Sequence, residues 1–115
     1  MMRSNRVSKA YNTASTYRST RDQEAEVFRR AAAMLVDAHG GGPIQQVRAL
    51  ADNRWLWMTV SDLMRDPRNV LPEGLRASIL SVGITVQREM EGDSPDFNFL
   101  IAINESIAAG LAGPA

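Results

Sequence analysis

Asn53-Arg54-Trp55-Leu56-Trp57-Met58-Thr59-Val60-Ser61-Asp62-Leu63 contains both tryptophans of the chain, set among aliphatic residues with no glycine or proline between them. On a helical projection Leu50, Trp57, Met58 and Met64 share roughly one face, while Trp55, Leu56, Val60 and Leu63 cover much of the rest. A helix that is apolar nearly all round has to be buried on several sides, by its own domain or by a partner. In a chain of 115 residues this favours an interaction module over an enzyme.

The helix that carries this stretch is expected from about Ile44 to Arg65. Pro43 suits its first turn, where a missing N–H is harmless, and Asp66-Pro67 ends it because the residue before proline avoids the α region. Upstream, a first helix is expected to open near Ser19 or Thr20, with Thr20 and Gln23 spaced as a capping box. Asp22, Glu24 and Glu26 would then meet the positive end of its dipole. Phe28, Ala31, Ala32, Leu35 and Val36 give it a 3.6-residue stripe, and Gly40-Gly41-Gly42 stops it.

Downstream, a third helix should run from Pro72 or Glu73 to about Glu91. Leu75, Ile79, Val82, Val86 and Met90 form its stripe, widened by Leu80 and Ile84. Gly83 sits mid-helix at a cost of ~1 kcal/mol relative to alanine, which a close approach by a neighbouring helix would explain. Ser94-Pro95-Asp96 reads as N-cap, first helical position and dipole-favoured acid of a fourth helix. Phe97, Leu100, Ile101, Asn104, Ile107, Ala108 and Leu111 form its main face, with Phe99 and Ile103 beside it. A buried Asn104 would need a hydrogen-bond partner. No segment alternates with period two. The expected fold is all-α: a small antiparallel bundle of about four helices over residues 20–113, with a flexible N-terminal arm.

That arm, residues 1–19, is rich in serine, threonine and asparagine and carries Arg3, Arg6, Lys9 and Arg18 with no acid before Asp22. Beyond the opening Met1-Met2, Val7, Tyr11 and Tyr17 are its only sizeable apolar groups, too few to offset the entropy of ordering it, so it is expected to be disordered alone. Its basic residues and two tyrosines make it a candidate to order on RNA or another partner. An arginine- and serine-rich start also has the look of an organellar transit peptide.

Composition narrows the function further. Thirteen basic residues balance thirteen acidic ones, so no net charge draws the chain to nucleic acid or an anionic membrane. There is no cysteine, which excludes disulfides, thiolate catalysis and cysteine-held metals. No apolar run approaches the ~18 residues that span a bilayer, nor is there the apolar core of a secretory signal. A soluble intracellular protein is expected. His39 is the only histidine, placed where it favours the negative end of the first helix. A histidine metal cluster is impossible and serine nucleophiles lack a base of their own. The glycine triplet lacks the lysine of a phosphate loop. Carboxylate pairs such as Glu24/Glu26 and Asp93/Asp96 fall near helix ends, where solvation explains them. The arginines from Arg48 to Arg88 are dispersed among acids. No enzyme, cofactor or metal is expected.

The order of motifs is informative. A helix ending in glycines is followed by Asn53-Arg54-x-Leu56-Trp57 and Asp62-Leu63, then by Asn69-x-Leu71-Pro72-Glu73-x-Leu75-Arg76-Ala77-x-Ile79-x-Ser81-x-Gly83. Phe97-x-x-Leu100-Ile101-x-Ile103-Asn104-x-x-Ile107-x-x-Gly110-Leu111 closes it. This pattern, over roughly residues 10–111, closely resembles the FlaF family of flagellar biosynthesis proteins. The first 18 residues look longer than the family's usual start. The resemblance implies a bacterial, cytoplasmic protein that couples flagellin synthesis and secretion to filament assembly. It also implies action on flagellin together with the regulator FlbT, and a role as flagellin export chaperone. A bacterial source removes the transit-peptide reading.

Under that reading, a terminal amphipathic segment of flagellin would lie in a groove of the bundle, with Trp55, Trp57, Phe97, Phe99 and Ile103 as candidate anchors, some of them serving the core. The alternative is a post-transcriptional regulator acting on flagellin mRNA, directly or through FlbT. Its support is the arm with Arg3, Arg6, Lys9, Tyr11, Tyr17, Arg18 and Arg21. A homodimer burying the tryptophan face is a further expectation, and no membrane contact is expected.

Overall fold

The computed structural model describes the backbone of residues 4–113 and the side chains from Arg21 to Gly113. Four helices follow one another: α1 Ser4–His39, α2 Pro43–Arg65, α3 Glu73–Glu91 and α4 Phe97–Ala112. There is no strand among the described residues, so the all-α expectation stands. Three of the four helices begin and end within a few residues of where proline, glycine and capping signals place them.

α1 departs from expectation at its start. Its backbone runs back to Ser4, well before Ser19 or Thr20. Nothing between Ser4 and His39 is a glycine or a proline, so a usable cap in mid-chain does not by itself terminate a helix. The side chains proposed for the basic arm, Arg3, Arg6, Lys9, Tyr11, Tyr17 and Arg18, lie outside the described residues.

The start of α4 is also adjusted. Asp96, rather than Ser94, is the N-cap: its Oδ1 accepts the Phe99 N–H at 3.1 Å. The Asp96 N–H is itself held by Glu89 Oε2 of α3 at 3.0 Å, which ties the cap to the neighbouring helix.

The helices pack as α1 against α4, α1 against α2, and α2 against α3. Short connections make sequential neighbours antiparallel. Residue pairs confirm the register: Asn53 of α2 reaches Met90 of α3, and Phe97 at the start of α4 stacks on His39 at the end of α1, with ring centroids 5.5 Å apart. Phe28, Leu35, Trp57, Ile79, Val86, Met90, Leu100 and Leu111 belong to one continuous core.

Gly83 explains how α3 comes so close to α2. A Cβ at that position would lie 3.1 Å from Ser61 Oγ and 3.3 Å from Trp57 Cε3, tighter than most real Cβ contacts, so the neighbours would have to give way. The missing side chain is the space into which the indole of Trp57 fits. That indole also meets the Phe28 ring edge-on, with centroids 5.6 Å apart and planes at 72°.

Candidate partner-binding cleft

The five anchor candidates do not converge in the folded chain. Trp57 is completely buried at the centre of the core, and Phe97 is buried beside His39. Phe99 and Ile103, one turn apart on α4, are half-buried and packed against the core. Trp55 is 71% exposed. Two residues apart on a helix means ~200° of rotation, so burying Trp57 turns Trp55 outward. Met58, grouped with Trp57 on the helical projection, belongs instead to the outer side with Trp55 and is half exposed. α2 is therefore covered by its own domain on one side only.

What the structure assembles instead is an apolar cleft at the end of the bundle where α2 passes into α3. It encloses about 230 Å³ and is lined by Phe28 of α1, Val60, Leu63 and Met64 of α2, Ile79 of α3, Ile107 and Leu111 of α4, and Val70 and Leu71 of the connecting loop, with Arg21, Glu24 and Asn69 as its polar members. Leu63 and Val70 are exposed at its rim, at 52% and 79%. Apolar groups left in water in this way are a cost that a partner's apolar segment could relieve.

Asn69 sets the shape of this cleft. Its Nδ2 donates to the Leu63 carbonyl at 2.9 Å and its Oδ1 accepts the Leu71 N–H at 2.9 Å, so one side chain ties the loop to the last turn of α2. The Asn69 N–H also donates to the Asp66 carbonyl at 3.0 Å. Asp66 holds the neighbouring turn: Arg68 donates to Oδ1 through its backbone N–H and Nε and to Oδ2 through Nη2, at 2.9 to 3.1 Å. The side-chain hydrogen bonds from Arg68, followed by the backbone one, hold the Asp66 carboxyl below its ordinary pKa, and the same pairing raises that of Arg68. Sequence reasoning missed this cleft. The available signal was Val70-Leu71, two aliphatics in a segment otherwise built of turn residues.

Charge gives the cleft little chemistry of its own. Arg21 and Glu24 bring one charge of each sign. Among the described residues, no three histidine, aspartate or glutamate side chains converge where a metal ion could sit. The arrangement offers shape and apolar contact, which suits recognition of a peptide segment.

The model of one family, the flagellar protein FlaF, matches residues 7–111. The chain belongs to the FlaF family. The match takes in nearly all of the four helices, with the cleft and the buried contacts described above. The role of the protein is accordingly connected with the flagellum. Comparison with curated proteins and with solved structures gave no match. Among the described residues no helix is long and apolar enough to cross a membrane.

Proposed function

We propose that this FlaF-family protein is a cytoplasmic, flagellin-binding export chaperone and regulator that couples flagellin synthesis and secretion to filament assembly. The observation that carries this reading is the apolar cleft at the α2–α3 end of a flagellar family member. A terminal amphipathic segment of flagellin, unable to bury its apolar face before assembly, would lay that face on Leu63, Val70 and Leu71 and be shielded from premature pairing. Rim residues that are already exposed make docking possible without unfolding the bundle, and they leave the complex reversible for delivery to the export machinery.

The test is co-expression of the full chain with the flagellin of its own organism. A stoichiometric complex that survives ~0.5 M salt, where surface charge contacts are screened, is expected. Leu63→Arg and Val70→Glu should each weaken it by about tenfold or more with the helical circular dichroism unchanged. Failure to form a complex at any salt, or full binding by both folded variants, would reject flagellin capture at this cleft.

A further inference from the structure

The outer side of α2 carries a second apolar surface, separate from the cleft. Ile44, Val47, Trp55 and Met58 are each exposed by half or more, and Ala51 is exposed between them. Their spacings are three, four, four and three residues, which keeps all five within one ~80° stripe on a helix. The stripe runs ~21 Å along α2 at 1.5 Å per residue. Ile84 of α3, also half exposed, lies beside Met58 along a shared groove and broadens that end. The opposite side of the helix, with Ala49, Asn53, Trp57 and Met64, is the side already buried in the core.

The sequence of spacings reads the same in both directions from Ala51. We infer that the occupant of this stripe is a second copy of the chain, docked α2 against α2 in antiparallel orientation about a two-fold axis at Ala51. An isologous contact requires a self-complementary patch, and this register supplies one. Ile44 meets Met58 of the second copy, Val47 meets its Trp55, and the two Ala51 methyls face each other where close approach needs small groups.

The flanking charges agree with the same axis. Arg48 and Asp52 lie on one flank of the stripe, three residues before Ala51 and one after it. A two-fold axis perpendicular to the helices keeps each flank on its own side, so Arg48 comes opposite Asp52 of the second copy, twice. Arg48, Asp52 and Arg54 are all exposed, and none forms an ion pair within the described residues. The dimer can therefore use Arg48 and Asp52 without breaking an existing pair. Arg54 lies on the other flank, away from its symmetry mate by about six residues of helix rise, or ~9 Å.

A stripe of this size is small beside a standard interface of ~800 Å² per partner, so association in the micromolar range is expected. The experiment is sedimentation equilibrium of the full chain from about 1 to 500 µM, a range set by that interface size. The expected result is a shift from the 12.7 kDa monomer to twice that mass. Ala51→Arg should abolish the shift, since it sets two like charges at the axis. Arg48→Asp and Asp52→Arg should each weaken dimerisation by about tenfold, and the double variant should restore it, because the pairing is then reversed on both sides. Circular dichroism serves as the folding control, since every substituted position is exposed. A chain that stays monomeric throughout overturns the inference, and so does a dimer indifferent to Ala51→Arg. A double variant as weak as the singles overturns the register. Leu63→Arg in the cleft should leave the dimer intact, so this inference and flagellin capture fail independently.

Discussion

Trp57 and Asn104 are 47 residues apart in the chain and meet at the centre of the bundle, where the indole Nε1–H donates to Asn104 Oδ1 at 3.0 Å. Asn104 Nδ2 in turn donates to Asn53 Oδ1 at 2.7 Å, and Asn53 Nδ2 reaches Met90 Sδ at 3.3 Å. Three buried polar side chains on α2 and α4 thus satisfy one another, and the chain of contacts ends on α3. Because a buried polar group without a partner is expensive, the network favours one register of α4 on α2 over neighbouring ones that apolar packing alone would tolerate.

Asn104→Ala removes the acceptor of Trp57 and the donor to Asn53 together. It should destabilise the fold by about 2–6 kcal/mol, the sum of two unmet buried groups. Urea unfolding followed by tryptophan emission measures this. A loss below ~0.5 kcal/mol, the size of an ordinary surface effect, would show that the network does not stabilise the bundle.

The two tryptophans should behave oppositely. Trp57→Ala empties the centre of the core and should cost about 3–5 kcal/mol, whereas Trp55→Ala should fall within ~0.5 kcal/mol for the isolated monomer. In single-tryptophan variants made by Trp→Phe exchange, acrylamide should quench Trp55 strongly and Trp57 weakly. Equal quenching would contradict the orientation of α2.

Glycines in the helices divide by what surrounds them. At Gly110 a Cβ would meet nothing within 4 Å, so Gly110→Ala should stabilise α4 by up to ~1 kcal/mol through helix propensity alone. At Gly83 the Trp57 ring stands in the way. Gly83→Leu should destabilise by about 1–3 kcal/mol through overpacking and perturb the Trp57 emission. Thermal unfolding of both variants checks the contrast, and a stable Gly83→Leu protein would remove the case for close approach.

The Asp66–Arg68 turn gives a pH signature. Asp66 titrates below its ordinary value because Arg68 hydrogen-bonds the charged form. A depressed carboxyl contributes stability that is fully present above the unfolded pKa of ~3.9 and lost as pH falls through the lower folded value. The turn should thus be insensitive between about pH 5 and 8 and loosen only in stronger acid. The Asp66 carboxyl chemical shift against pH reads this directly. An apparent pKa above the ordinary carboxylate value would contradict the pairing.

Much of the bundle was legible beforehand because its signals are local. Pro43, Asp66-Pro67 and Gly40-Gly41-Gly42 act through the backbone of their own few residues, so the boundaries they mark need no knowledge of the rest. Gly83 and Asn104 were legible in a different way. Each is unfavourable in isolation, and each was resolved by a neighbour, the Trp57 ring for one and the Trp57 and Asn53 side chains for the other. The start of α1 was not legible, since a capping residue permits a helix to begin without preventing it from continuing.

The sequence by itself determined the number of helices, most of their ends, the all-α class and, through its motif order, the family. Those properties depend on spacing along the chain and on backbone preferences that act over a turn or two. Only the tertiary structure decided which side of α2 is the core, and so that Trp57 is buried, that Trp55 and Met58 are not, and that Leu63 and Val70 border a cleft. Both sides of α2 are apolar, so periodicity could not rank them. The choice rests on contacts between residues tens of positions apart, where the Gly83 gap and the two buried asparagines admit one face of the helix.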